Sequence, residues 1–315
     1  MPEWLIERGI GETRYALVEG GEIVEARIEF AGAVRAGSVI GARVVDAAPR
    51  NAVARDANGQ EYLLPRGASG VTQGAALNIA ITREAIPGSE PWKRPLARVS
   101  DESPHDPPPI AGRELAFPSP TNELARVGWN ELVEEARTGL VRFAGGELRV
   151  SVTPAMTLID VDGYLEAEEL AVRGAAEAGR AIRRLDIGGS IGIDLPTSDK
   201  ASRQAAADAI DAHLPHPFER TAVNGFGFVQ IVRPRSRGSL VELAQDRGAF
   251  EARVLLRQTA VGPPGPRRLI VHPALAAVLE AQADWLDALS RQVGGAISLR
   301  ADAAVPISGA YAEDA

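Results

Sequence analysis

The sequence predicts a mixed α+β and α/β fold, with a small OB-type β-barrel ahead of a sheet whose strands end on acidic residues. Three features predict it. Residues 156–196 read as strand, helix, strand; residues 39–82 hold short β-forming runs at close spacing; and a proline-rich stretch, residues 87–120, separates the two patterns.

The βαβ unit carries the chemistry. Its first strand is Met156-Thr157-Leu158-Ile159-Asp160-Val161-Asp162-Gly163, and its second is Gly188-Gly189-Ser190-Ile191-Gly192-Ile193-Asp194-Leu195-Pro196. Between them Leu165, Ala171, Val172, Ala175, Ala178, Ile182 and Leu185 recur mostly at three- and four-residue spacing, which predicts one amphipathic helix facing a sheet. Such a crossover makes its two strands parallel, so Asp160 and Asp194 emerge at one edge, where open α/β sheets hold ligands. Two carboxylates held close repel unless a cation lies between them. A hard divalent ion with oxygen ligands, magnesium foremost, satisfies both and keeps waters for chemistry. The competing reading is a turn at Asp162-Gly163 and a cap at Asp194.

Composition bounds the alternatives. A chain of 315 residues is large enough for about two domains with real cores. With 45% hydrophobic and 24% charged residues it reads as globular. Its apolar runs fall short of the roughly 20 residues a membrane helix needs, and the first residues, with Glu3, Glu7 and Arg8, lack a signal peptide's apolar centre. A cytoplasmic protein with no membrane partner is expected. The absence of cysteine excludes disulfides, thiolate zinc sites and cysteine nucleophiles. A net charge of -8 argues against a protein coated in nucleic acid but permits a local basic groove.

In chain order, residues 14–18 and 23–28 form a hairpin about Gly20-Gly21. Strands at 39–45, 52–55, 62–64 and 77–82, with turns at Asn58-Gly59 and 67–70, make the barrel. Barrels of this kind bind single strands by stacking bases on aromatic rings; Tyr62 is the ring available here, and a barrel kept for packing is the alternative. Nine prolines between 87 and 120, without periodicity, predict a linker or surface crossing. A helix over 122–138 and a hairpin over 140–152 lead into the βαβ unit. After Asp194 come a helix over 200–214 and a strand, 225–232, running into Arg233-Pro234-Arg235-Ser236-Arg237. Alternating arginines at a strand end can grip successive phosphates, which makes Arg233, Arg235 and Arg237 candidate phosphate contacts; a solvated basic loop is the alternative. Short elements at 250–258 and 269–272, a helix over 273–293, a strand at 296–299 and a polar tail complete the chain. The expected divisions are 1–34, 35–86, 87–121, 122–152, 153–262 and 263–315.

Some motifs fail on context. Gly188-x-Ser190-x-Gly192 matches a hydrolase nucleophile elbow, but that elbow needs a strand before and a helix after, and here the order is reversed. Asp160-x-Asp162-Gly163 is no EF-hand loop, because its twelfth position is Ala171. His213 and His216 flank Pro215 without a third ligand, so no zinc is assigned.

Four blocks resemble, in order and spacing, the catalytic region of the ribonuclease E/G family: Gly145-Gly146; Thr157-Leu158-Ile159-Asp160-Val161-Asp162; Ile187-Gly188-Gly189 leading to Ile193-Asp194; and Phe226-Gly227-Phe228-Val229 with Arg233-x-Arg235. The resemblance is closest over residues 143–240, continues through Val271-His272-Pro273, and extends more weakly to the first hairpin and to Leu63-Leu64-Pro65. It implies a magnesium-dependent endoribonuclease for single-stranded RNA, working in RNA processing, ribosomal RNA included, or decay. It also implies a ribonuclease-H-like part (1–34 and 122–152) interrupted by an RNA-binding barrel and followed by a deoxyribonuclease-I-like catalytic part. The family's metal-binding aspartates fall on Asp160 and Asp194, an asparagine that orients the metal's water falls on Asp162, and its basic strand end falls on Arg233 and Arg235.

The departures are specific. Thr197 stands where the family has a further aspartate, and Gln230 where it has a glutamate. The cysteine pair that joins subunits through zinc is missing, so no zinc-bridged dimer is expected, and a short proline-rich run replaces most of the 5′-end-sensing segment. Three functions stay open at this point: the nuclease, an RNA-binding protein of the same fold with reduced or no activity, and a structural partner in an RNA-processing assembly. Retention of two acids favours the first.

Overall fold

A computed structural model describes residues 1–87 and 93–315 as a mixed α+β protein with a closed five-stranded barrel and three further sheets. The chain opens with β1 (Glu3–Arg8), β2 (Glu12–Glu19) and β3 (Glu22–Phe30), an antiparallel meander. Gly20 and Gly21 between β2 and β3 have φ of 62° and 90°, the positive values a two-residue hairpin turn requires.

The barrel follows as β4 (Val39–Asp46), β5 (Ala52–Arg55), β6 (Glu61–Leu64), β7 (Ala76–Arg83) and β8 (Leu96–Ser100), closed in the order β4-β5-β6-β8-β7. Val44, Ala54, Tyr62, Leu64, Ile79 and Ile81 point inward and fill it. The closing strand β8 lies in the stretch expected to be linker, because flanking prolines conceal a short alternation that turns Ala97 and Val99 to the barrel core. Residues 88–92 of that expected linker lie outside the described residues. Farther on, β9 (Arg113–Leu115) pairs parallel with β1 and completes the sheet β3-β2-β1-β9, so the barrel interrupts that sheet in sequence. The single helix expected over 122–138 is two, α1 (Glu123–Arg126) and α2 (Trp129–Thr138), broken before Gly128 at φ 103°.

Next come β10 (Leu140–Phe143), β11 (Gly146–Val152), β12 (Thr157–Gly163), α3 (Ala167–Arg184), β13 (Gly189–Asp194), α4 (Lys200–His213), β14 (Glu219–Arg220) and β15 (Phe228–Arg233). They build a six-stranded sheet ordered β10-β11-β12-β13-β15-β14, in which β12 and β13 are parallel and the other neighbours antiparallel. Leu148, Ile159, Val161, Ile191, Ile193 and Val229 are buried, and α3 packs its stripe of Leu170, Ala171, Ala175, Ala178 and Ile182 on β11 and β12. Gly174 permits the close approach, since a Cβ there would lie 2.3 Å from Val161 Cγ1. Asp199 caps α4 by accepting from the Ser202 amide at 2.7 Å.

The chain ends with α5 (Leu240–Leu243), α6 (Arg247–Ala260), β16 (Arg267–Val271), α7 (Pro273–Ala281), α8 (Ala283–Val293), β17 (Ile297–Ala301) and β18 (Tyr311–Asp314). The helix expected over 273–293 breaks at Gln282, whose φ of -121° and ψ of 59° leave the helical region. The expected polar tail contains β18, paired antiparallel with β16.

Two compact units result: Met1–Ala31, Ala111–Thr138 and Leu243–Ala315 form one, and Gly32–Ile110 with Gly139–Glu242 the other. The divisions thus differ from those expected. Residues 140–152 join the acidic sheet by strand pairing, while α6, expected in the catalytic part, belongs with the N-terminal sheet. Among the described residues no helix is long and apolar enough to cross a membrane.

Candidate active site

Asp160 and Asp194 are direct partners in the register of the parallel pair β12–β13, so their backbones stand one strand spacing apart, about 4.8 Å. Alternation decides which way they face. Thr157, Ile159 and Val161 on β12 are buried, while Leu158, Asp160 and Asp162 are exposed; on β13 Ile191 and Ile193 are buried and Asp194 is exposed. All three acids therefore occupy the sheet face away from the buried one. Across the row, Arg149 of β11 pairs with Asp160 and Phe228 of β15 pairs with Asp194. Arg149 is shared with other acids, at 2.6 Å from Glu147 Oε1 and 3.9 Å from Asp162 Oδ2.

The loop beside Asp194 is tightly specified. Asn224 Oδ1 accepts from the amides of Phe226 (2.9 Å) and Phe228 (3.1 Å), and Gly227 between them has φ 90°. A Cβ at Gly227 would lie 2.1 Å from the Leu195 carbonyl oxygen. Gly227→Ala is therefore expected to destabilise the fold by about 1–3 kcal/mol, through positive-φ strain and this backbone collision. A urea midpoint unchanged from that of the parent would show the loop to be more forgiving than its geometry.

The arginine strand end lies elsewhere. Because β15 runs antiparallel to β13, Arg233 pairs with Gly189, five residues back from Asp194 and thus roughly 16 Å along the strand. Arg233 Nη1 donates to the carbonyls of Ile182 (3.4 Å) and Ile187 (2.8 Å), gathering the end of α3. Arg235 is paired with the buried Glu242, and Arg237 Nη1 lies 3.2 Å from Asp186 Oδ2. The structure thus brings Asp160, Asp162 and Asp194 together but places Arg233, Arg235 and Arg237 at the opposite end of the sheet, each engaged within the chain.

Other singled-out residues also find places. Tyr62 is enclosed in the barrel and donates to Asp56 Oδ2 at 3.1 Å, and burial pushes its phenol pKa up; among the described residues the barrel strands present no exposed ring. Ser190 lies within β13 and its hydroxyl accepts from Gln230 Nε2 at 3.2 Å, away from any strand-to-helix elbow. Thr197 is exposed in the loop after β13. His213 Nε2 is 3.1 Å from Arg180 Nη2, while His216 stacks on Phe218.

Burial, then the neighbouring charges of Asp162 and Asp194, hold the Asp160 carboxyl above its ordinary pKa, with Arg149 opposing. A pKa raised in the native state means that the folded protein binds the proton more tightly than the unfolded chain. This group is then neutral in its effect at pH below the ordinary carboxylate range, and it subtracts stability as pH rises through its native pKa. Asp160→Asn should accordingly match the parent at low pH and, with chelator present, be modestly more stable near neutrality. A variant less stable than the parent at every pH would contradict this electrostatic picture.

Among the described residues no group of three or more His, Cys, Asp or Glu side chains is arranged to hold a metal ion. Two in-register carboxylates that repel one another do suit magnesium, which takes one or two protein carboxylates and retains several waters. No protein-family model matches the chain, and no curated protein sequence matches it. Sequence reasoning missed Arg149 as the cation in the acidic row; the alternation of Leu148 and Val150 against Arg149 and Ser151, with the hairpin return to β12, was the signal for it.

Proposed function

We propose that the protein is a magnesium-dependent endoribonuclease acting on single-stranded RNA, in keeping with its resemblance to the ribonuclease E/G family. The observation that carries this reading is the register match of Asp160 with Asp194 on an exposed sheet face. The interruption of one sheet by a closed barrel supports the accompanying architecture, a ribonuclease-H-like part with an OB-type insertion and a deoxyribonuclease-I-like part after it. Asp160 and Asp194 would hold the magnesium ion, which when bound supplies Lewis acidity at a phosphodiester oxygen and lowers the pKa of a bound water. Asp162, two residues on along the same face, would accept a hydrogen bond from that water. Arg149, the cation placed across from Asp160, would steady the phosphate; the strand-end arginines would serve the fold. The setting expected is cytoplasmic RNA processing or decay.

The second reading, an RNA-binding protein of this fold with little activity, is favoured by one observation, that no third ligand clusters with the pair among the described residues. A labelled short single-stranded RNA incubated with and without magnesium separates them. Magnesium-dependent fragments support the nuclease, and retention of intact RNA in a complex supports the binding protein.

A further inference from the structure

Beyond the acidic row, at the same ends of its strands, stand two aromatic rings that the fold leaves uncovered. Phe226 is 83% and Tyr164 85% exposed. Tyr164 directly follows the end of β12, and Phe226 stands two residues before the β15 position paired with Asp194, so both rings lie at the sheet edge that carries the acids. One exposed ring alone would be ordinary; two beside one acidic row, with Leu158 38% exposed on the same face, form a grouping of the kind that marks interaction sites.

Neither ring rides on loose chain. Phe226 is presented by the loop that Asn224 and Gly227 fix. The Tyr164 amide donates to the Gly145 carbonyl at 3.1 Å, at a junction where a Cβ on Gly146 would lie 2.3 Å from the Asp162 oxygen and one on Gly163 2.4 Å from the Gly145 oxygen. Two residues back from the acid pair, at the register pair Leu158–Gly192, the same sheet face is apolar. Gly192 has no side chain, and the Phe228 ring and Leu158 close over it, at 2.6 Å and 3.0 Å from where its Cβ would be. Across the sheet the strands bearing Tyr164 and Phe228 are two interstrand steps apart, about 10 Å, and along β12 Tyr164 stands four residues on from Asp160, roughly 13 Å, spans that a short run of nucleotides crosses.

We propose that Phe226 and Tyr164 are stacking platforms for unpaired bases, laying a single strand of RNA across the strand ends with a phosphodiester over Asp160 and Asp194. This rests on the nuclease reading and deepens it, since only unpaired bases can offer their faces to the rings. A second copy of the chain is a poorer occupant. A two-fold contact through this patch would set Asp160, Asp162 and Asp194 of each copy against the same acids of the other.

The test is equilibrium binding of a short fluorescent RNA, and of the same RNA with central abasic sites, with calcium replacing magnesium. Phe226→Ala and Tyr164→Ala should each weaken binding of the intact RNA by about 5- to 100-fold, the range a lost base–aromatic stack produces. Phe226→Tyr should bind like the parent. The abasic RNA should bind the parent weakly and Phe226→Ala no more weakly still. Thermal unfolding of both alanine variants should match the parent, because neither ring is packed. Unchanged RNA binding in both variants, or equal affinity for the abasic strand, overturns the platforms while magnesium-dependent cleavage by the parent leaves the nuclease reading standing. Loss of self-association in the variants with RNA binding intact assigns the face to a second copy and also overturns the proposal. A parent that neither binds nor cuts RNA overturns both.

Discussion

Asp160→Asn or Asp194→Asn will abolish magnesium-dependent cleavage of a labelled single-stranded RNA, with kcat/KM falling by at least about 100-fold. Loss of groups that merely orient metal ligands already costs about 10- to 100-fold, and these substitutions would remove ligands themselves. The change is nearly isosteric and lies on an exposed face, so folding will survive it. A second readout does not depend on turnover. Magnesium should raise the melting temperature of the parent, because a ligand bound only by the native state stabilises it, and should do so much less in either variant. Asp160→Asn should also be the more stable protein under chelation, since the like charges that raise its pKa are relieved. Loss of activity together with a gain in metal-free stability is a combination that general damage to the fold would not produce. Cleavage at the parental rate under limiting magnesium, by either variant, would remove the pair from the site.

The acidic pair was legible because two strong periodicities met there. Period-two strands placed Asp160 and Asp194 on the exposed face, and the helix between them required parallel strands. Strand direction beyond that unit was not legible. Nothing in 225–237 reveals that β15 returns antiparallel beside β13, and that reversal carries Arg233 to the far end of the sheet. Nor could composition disclose that Arg235 neutralises a buried Glu242 or that Arg237 answers Asp186, since these contacts join segments set by tertiary packing. The strands β8 and β18 were hidden for a related reason. Each is four or five residues long, with its partner strand more than ten residues away, so local propensity had little to signal against prolines or polar neighbours.

The unit built from the chain's two ends is expected to depend on one carboxylate. Glu7 Oε1 lies 2.8 Å from Arg14 Nη1 and 3.0 Å from Arg257 Nε, joining β1 to β2 and to α6. All three side chains are at most 5% exposed. Glu12 takes the remaining side of Arg14, with Oε1 2.6 Å from Nε, while Asn122 and Asn130 accept from Arg257 at 2.8 Å and 3.4 Å. Burial foremost, and the neighbouring Arg14 charge after it, lower the Arg257 pKa, and Glu7 is the largest influence opposing them. Removing Glu7 would leave two guanidinium groups out of water, repelling one another and short of an acceptor. Breaking a buried ion pair in this way costs about 3–5 kcal/mol, a large share of the roughly 5–15 kcal/mol that stabilises a folded protein. Glu7→Ala should therefore lower the urea midpoint of this unit sharply. Glu7→Gln keeps an oxygen acceptor for one arginine and should cost less, though more than about 1 kcal/mol. Replacing Glu12 by glutamine should be milder again, because Glu7 still holds Arg14. A Glu7→Ala protein within about 1 kcal/mol of the parent would mean that the two arginines find water or other acceptors once the carboxylate is gone, and that the network is not what ties α6 to the first sheet.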